Sequence, residues 1–397
     1  MKVLFTVAEY FPKISGVPVV TKYLAEELAR LGYDVSVVTS KPEGTLDKEE
    51  INGVTVFRFN ILFSRIKGCY GQKEEYINFI KNFRADILIN ECSQCITTDL
   101  LLPELKNIPS KKILHLHGAS GLALKPFKIM RTLKNTVGNT YNYIRFKKYY
   151  LKFYQYFKYY DKIVCLSEMD SAKDYVMKYA KEKFTILENA ADDEYFMISD
   201  NRKEEKRIGE MVSKNEKFLL SIANYNPSKN QKMLLKAFYM ANTRDVSLIL
   251  IGSERNDYSK IIESYNEKLK TKYGDKKVKI LYGVDRNLNK FLLKYATAYI
   301  SSSVHEEYSI SIIEAMATRT PFISTDVGNA RILPGGIVVK NIKEMSVAIE
   351  KIISDSNLNE ILGIEGEKYV KNNCTIKKAG ERLDIIIKSI IGGNDYV

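Results

Sequence analysis

The chain has 397 residues, 45% hydrophobic and 27% charged, which suits a globular protein with room for two cores. Five cysteines, an odd number spread along the chain, fit reduced thiols better than a disulfide framework, and no charge-free apolar run approaches the roughly 18 residues of a membrane span. The formal net charge of +13 is unusual and mostly local: Leu105 to Tyr160 holds twelve Lys and Arg and no acid, a field that suits an anionic partner.

Val3–Ala8 reads as a first strand, too short and without the cleavage pattern for a secretory leader. The loop Glu9–Pro18, with Ser15 and Gly16, leads to a helix predicted from the spacing of Val20, Leu24, Leu28 and Leu31 and ended by Gly32; a strand Asp34–Ser40 follows. Gly16 thus falls at the C-terminal edge of a predicted parallel sheet, where ligands bind, although a plain turn glycine reads the same way. There is no Gly-x-Gly-x-x-Gly here, which disfavours a nicotinamide enzyme.

Further strands are predicted at Gly53–Phe59, Asp86–Asn90, Ile113–Leu116, Lys162–Leu166 and Phe184–Leu187, separated by helical patterns as in parallel α/β folds. Cys92 and Cys95 make a lone C-x-x-C, weak evidence for redox chemistry without a thioredoxin-like setting. Zinc is disfavoured, with three histidines in the whole chain and no second finger-like pair. Strand alternation puts His115 and His117 on one face, and His117, followed by Gly118, lies where a ligand could reach it. It could hold a sugar hydroxyl or act as a base; a structural histidine reads equally well.

In the basic segment, Phe146, Tyr150, Phe153, Phe157 and Tyr160 recur at helical spacing, with Arg145, Lys148 and Lys152 on another stripe. One reading is an interfacial helix presenting Arg145, Lys148, Lys152, Tyr149 and Phe153 to an anionic membrane. The other packs the aromatic stripe on a core and leaves the lysines in water. No recognition module for nucleic acid accompanies the charge, so no nucleic-acid partner is expected.

Ile198–Lys217 is polar and reads as a linker with a surface helix, after which α/β alternation restarts at Phe218–Ala223. The loop Asn224–Gln231 carries Lys229, placed to neutralise a phosphate or simply to be solvated. Strands are predicted at Val246–Ile251, Val278–Leu281, Ala298–Ser301 and Pro321–Ser324, and closing helices at about Asn357–Lys371 and Lys377–Ile391. The richest stretch is Ser301–Ala317. A helix is predicted from about Glu307, with Ile312, Ile313 and Met316 on one face. Glu306 and Glu314 would then lie about 10–12 Å apart along its axis, flanking free N–H groups and a positive dipole end. A sugar, a diphosphate and a ribose span about that length; two acids that merely suit their helix positions are the plain alternative.

Taken together, these residues resemble retaining glycosyltransferases of family 4, whose GT-B fold is α/β: two facing Rossmann-like domains with a cleft between them. The resemblance covers nearly the whole chain. It implies an N-terminal acceptor-side domain over 1–197, a C-terminal nucleotide-sugar domain over 198–375, and a last helix, 376–397, returning to the first domain. Glu306 to Glu314, followed by Ala315-Met316-Ala317, is similar to the family's Glu-x7-Glu motif. The resemblance implies that Glu306 and His117 hold the donor sugar and Glu314 the ribose. Lys229 would bind phosphate, backbone amides at Tyr308, Ser309 and Ile310 the donor, and Val284 the base. Ser15 and Gly16 would form the acceptor-side loop. Departures are Asn224 where the family has a phosphate-binding Arg, Glu307-Tyr308-Ser309 for Gly-Phe-Gly, Ala190 for Gly, and Arg331 for an acid. The implied activity is transfer of a hexose from a UDP- or GDP-sugar to a hydroxyl, with no metal or other cofactor. The basic helix adds a lipid-linked glycan acceptor, as in bacterial capsule or lipopolysaccharide assembly, and a cytoplasmic, membrane-peripheral location. A partner protein that binds nucleotide sugars without turnover, or a transferase with a soluble acceptor, are the alternatives.

Overall fold

The structure, a computed structural model, describes residues 1–13, 16–64, 68–123, 133–213 and 216–392. The chain divides into two units, one formed by Met1–Asn189 with Ile376–Val397 and the other by Ala190–Thr375. The division falls at 189/190 rather than the expected 197/198. Ala191 forms a parallel bridge with Thr375, so the segment before the expected linker is already tied into the second unit.

The first unit is built on an eight-stranded sheet. Its strands lie in the order Phe184–Ile186, Lys162–Cys165, Lys111–His115, Ile87–Glu91, Lys2–Thr6, Asp34–Ser40, Val54–Phe59 and Lys48–Ile51. All pairings are parallel except the last. The central strands are apolar runs buried on both faces, as parallel strands under helices must be. The helix Val17–Arg30 buries Val20, Leu24 and Leu28. The C-terminal helix Ile376–Ile391 buries Leu383, Ile386 and Ile387, and Tyr33 donates to Asp384 at 2.5 Å. Gly380 permits the close approach of these two helices, since a Cβ there would sit 2.1 Å from Cγ of Glu27. A short hairpin, Ile61–Ser64 with Gly68–Gly71, is absent from the sequence prediction.

The basic segment forms the helix Leu133–Phe153 and then a 3-10 turn, Tyr154–Tyr159. Its aromatic stripe belongs to the core: Tyr150 is 4% exposed, and Phe153, Phe157 and Tyr160 are each 1% exposed. Phe153 therefore cannot face a membrane. Tyr149 is half-buried, its hydroxyl donating to Asp99 at 2.7 Å and accepting the Gln94 N–H at 3.0 Å. The reason is chemical: each phenol finds a polar partner inside, as with Tyr160 on Asn90 at 2.9 Å, so the rings can be buried without orphaning a hydroxyl. Arg145, Lys148 and Lys152 are exposed. No helix among the described residues is long and apolar enough to cross a membrane.

The second unit carries a six-stranded parallel sheet. The order is Val278–Tyr282, Val246–Gly252, Lys217–Ile222, Ala298–Ser301, Phe322–Thr325 and Gly336–Val339. Its core gathers Leu234, Phe238, Leu248, Ile300, Ile323 and Ile349. The polar loops after Ile222, Tyr282 and Ser301 all leave the C-terminal edge of this sheet, the edge at which open α/β sheets bind ligands.

Candidate active site

At that edge of the second unit, the sequence Ser302–Ser309 runs as a loop, and the helix begins at Ile310, later than the predicted Glu307. Two neighbours in space impose the difference. Gly328 has φ +53°, and a Cβ on it would lie 2.6 Å from the Glu306 carbonyl oxygen, so this loop rests directly on a glycine backbone. Asn329, fully buried, accepts the Ser309 N–H through Oδ1 at 3.1 Å. The Ser309 amide, expected to hold the donor, is thus committed to Asn329. Tyr308 is also turned inward: it is 6% exposed, and its hydroxyl lies 3.5 Å from Cys374 Sγ.

The first turn of the helix Ile310–Ala317 has neither a side-chain cap nor an acid. Its leading N–H groups, starting with Ile310, keep the partial positive charge of a helix start. Beside it, Glu306 Oε1 accepts from Lys229 Nζ and from Ser303 Oγ, the latter at 2.6 Å. The short turn Pro227–Lys229 aims Lys229; Asn226 caps it, and Ser302 Oγ donates to the Lys229 carbonyl at 2.9 Å. Lys229 and Glu306, 77 residues apart in sequence, are therefore brought together. Asn224 is exposed and holds Gln231 Nε2 through its carbonyl at 3.1 Å. Val284 is half-buried, and its carbonyl accepts from Asn289 at 3.4 Å.

Glu314 lies one helix turn on from this amide edge, with 18% of its side chain exposed. Burial pushes its pKa up to about 7; Arg286 and the Tyr195 hydroxyl pull the other way, and Asp192 adds to the rise. Arg286 stands 3.9 Å from Glu314 and 3.4 Å from Asp192, and its guanidinium lies over the Tyr195 ring. Sequence reading missed Arg286. The available signal was Asp285, which caps the next helix through the Leu288 N–H and so fixes Arg286 as that helix's first residue. The result is a strip of a lysine–carboxylate pair, bare helix amides and an arginine–carboxylate pair, able to hold an anion flanked by hydroxyl-bearing groups.

In the first unit, His117 follows the strand Lys111–His115, and its Nε2 lies 2.6 Å from Glu91 Oε2. His115 Nδ1 lies 3.1 Å from the same oxygen. Glu91 ends the strand Ile87–Glu91, and parallel register puts it directly beside His115. Its pKa is pulled down to about 2 by the two imidazoles in spite of complete burial. By residue type the trio is a metal-ligand set, its donor atoms all within 4.8 Å. Burial and the neighbouring His115 hold the His117 pKa below its ordinary value.

Gly16 precedes the helix Val17–Arg30 with φ +55° and ψ −128°, a conformation open only to glycine; Ser15 lies outside the described residues. Next to it is a cavity of about 810 Å³ whose lining includes Val17, Pro18, Cys92, Arg145, Phe146 and Tyr149. Arg145 and Tyr149 are thus wall residues of a cavity in this unit. Cys92 and Cys95 are free thiols, and burial raises the pKa of both, which opposes a redox role.

Comparison with known proteins now bears on this geometry. The model described as "Glycosyltransferase Family 4" matches residues 14–195, and that of "Glycosyl transferases group 1" matches residues 202–369. An uncharacterized glycosyltransferase of Methanocaldococcus jannaschii is 23% identical, with 94% of this chain and 92% of that protein covered. An N-acetylgalactosaminyltransferase of Campylobacter jejuni that acts on a diphospho-undecaprenol-linked sugar is 24% identical, over 45% of this chain and 48% of that one. The chain spans 39% and 46% of the length of two further curated relatives. Among solved structures, sucrose-phosphate synthase of Thermosynechococcus elongatus superposes with TM-score 0.78 at 15% identity, covering 98% of each chain. Anabaena HepE in complex with UDP-glucose gives TM-score 0.70 at 14% identity, covering 98% of this chain and all of that one (100%).

Proposed function

The chain belongs to glycosyltransferase family 4, of GT-B fold, and we propose that it moves a hexose, with retention, from a UDP- or GDP-sugar to a hydroxyl of a lipid-linked glycan. The observation that carries this reading is the Lys229–Glu306–Ser303 cluster beside the uncapped start of Ile310–Ala317. In the proposal, the diphosphate lies on the Ile310 edge and takes Lys229 from Glu306. This cationic, preorganised edge stabilises the charge that develops as the sugar leaves. Glu306, released from the lysine, accepts sugar hydroxyls. Glu314 accepts the ribose hydroxyls, and Arg286 stays on its far side. His117 is assigned to the donor sugar, and the Gly16 loop with its neighbouring cavity to the acceptor. No step calls for a metal.

A nucleotide-sugar donor is supported by the UDP-glucose held by HepE, and a lipid-linked acceptor by the undecaprenol-linked substrate of the Campylobacter relative. A soluble acceptor is the second reading. It gains from the burial of Tyr150 and Phe153, which leaves Tyr141, Ile144 and Leu151 as the exposed apolar side chains of that helix among the described residues. The exposed Lys148 and Lys152 still allow electrostatic contact with anionic lipid.

The test is thermal unfolding with UDP, GDP and their glucose and mannose esters, wild type beside Lys229→Ala. A ligand at 100 times its Kd stabilises by about 2.7 kcal/mol. The expected result is a shift with one nucleotide family that Lys229→Ala abolishes. Absence of any shift in the folded wild type would sink the reading. Flotation with anionic vesicles then separates the acceptors: binding lost in Lys148→Gln/Lys152→Gln favours the lipid-linked glycan.

A further inference from the structure

Glu91 is a costly residue to keep. Its side chain is fully buried, and one oxygen, Oε1, has no hydrogen-bond partner. Nε2 of His115 is likewise buried and unpartnered. Unused buried lone pairs lower stability, and in native proteins they concentrate where something other than stability is served. Both imidazoles instead converge on Glu91 Oε2, His117 at 2.6 Å and His115 at 3.1 Å. Exposure grades outward: Glu91 0%, His115 2%, His117 7% of the side chain. A ligand that meets this cluster therefore meets His117, and the other two residues act through it.

An ionised carboxylate has no proton to give, so each ring nitrogen facing Oε2 must be the donor. We propose that Glu91 is a positioning residue for His117, fixing its ring in the tautomer that carries the proton on Nε2 and leaves the Nδ1 lone pair to accept a hydrogen bond from a substrate hydroxyl. His115, protonated on Nδ1, braces the same oxygen from the adjacent strand, and its carbonyl takes the Cys92 N–H at 2.8 Å. The low pKa of Glu91 agrees with an ionised clamp. A resident metal fits less well. Two ligands of one tetrahedral zinc stand about 3.3 Å apart, given bonds of about 2.0 Å. The 2.6 Å between Glu91 and His117 is the distance of a hydrogen bond. This inference rests on the assignment of His117 to the donor sugar.

The experiment records imidazole ¹⁵N spectra of the purified protein, whose three histidines are assigned one by one through His305→Asn and His115→Asn. The expected spectrum has His115 as the Nδ1–H form and His117 as the Nε2–H form. Glu91→Gln, whose amide can face the rings with either atom, should release His117 into a mixture of tautomers. In the transfer assay with the donor found by thermal shift, Glu91→Gln should lower kcat by up to about tenfold, the scale of one hydrogen bond made to the sugar in the transition state, with donor KM held within about twofold. Glu91→Asp, which keeps the charge, should recover part of kcat and provides the arm if Glu91→Gln folds poorly. An Nδ1–H form of His117 in the wild type, an unchanged kcat in folded Glu91→Gln, or one equivalent of bound zinc lost in Glu91→Gln would each overturn the proposal. A wild type with the expected tautomers that binds no nucleotide would uphold the clamp and overturn the transferase reading instead.

Discussion

Two buried carboxylates, one in each unit, are driven in opposite directions. Glu91 is fully enclosed, yet its pKa falls to about 2; Glu314 keeps 18% of its side chain exposed, yet its pKa rises to about 7. Burial penalises both charges, so burial does not decide the outcome. The difference lies in the number of donors in contact and in the distance of the charged partner. Two imidazole nitrogens lie within 3.1 Å of one Glu91 oxygen, whereas the Arg286 nitrogen is 3.9 Å from Glu314 and is shared with Asp192. Two imidazole donors in hydrogen-bond contact outweigh desolvation at Glu91, whereas one Tyr195 hydroxyl and a shared guanidinium at 3.9 Å do not outweigh it at Glu314. Glu91 is thus a satisfied anion serving its own neighbours. Glu314 is an anion short of donors, and the hydroxyls of a ligand can supply them.

The sharpest way to break this comparison is to neutralise each acid by an amide of the same shape and measure urea unfolding at pH 8. Shifts of this size in opposite directions correspond to stability changes of about 3 kcal/mol each. Glu91→Gln should destabilise by about that amount and Glu314→Gln should stabilise by up to as much. Equal signs would mean that donor contact and partner distance are not what separate the two.

The pH dependence of the same differences sharpens the point. The depressed pKa of Glu91 contributes stability above its ordinary value, and that contribution disappears as pH falls from about 4.5 toward 2. The raised pKa of Glu314 acts in reverse: it favours folding below about 4.5, and the benefit is lost as pH rises through 7. The wild-type-minus-variant difference should therefore shrink on acidification for Glu91→Gln. For Glu314→Gln it should move against the wild type between pH 5 and 8, by about 2 kcal/mol at most.

Local pattern carried much of the fold into the sequence, and contact across the fold carried the rest out of sight. The strand Ala298–Ser301 is legible because alternation of apolar runs and helical spacing is a property of neighbouring residues. The start of the helix at Ile310 is not, because Gly328 and Asn329, from the loop after the next strand, determine where the chain can turn helical. The stripe Tyr150–Tyr160 shows its spacing but not what it packs against, so core and membrane surface read alike until the hydroxyl of Tyr160 is seen on Asn90. At the site, Glu306, Lys229 and His117 stand out by residue type and position. Their partners do not: Glu91 meets His115 only through strand register, and Arg286 meets Glu314 only once two loops leave the same sheet edge.

The smallest effect tests whether Glu314 is short of donors in the way proposed. UDP-glucose is a suitable probe because its diphosphate does not titrate near neutrality. If ribose hydroxyls are to donate to the ionised carboxylate, the proton held with a pKa of about 7 must leave on binding. The other groups facing it are Arg286, which is paired with Asp192 and whose pKa is raised further by its acidic neighbours, and Tyr195, which burial holds protonated. Affinity should then rise by about tenfold from pH 6 to pH 8, about 1.4 kcal/mol, with proton release seen by calorimetry in buffers of different ionisation enthalpy. Glu314→Gln should bind more weakly at pH 8 and show no slope. A slope that persists in the variant would move the titrating group elsewhere, and with it the reason for Glu314 being held so far from its ordinary pKa.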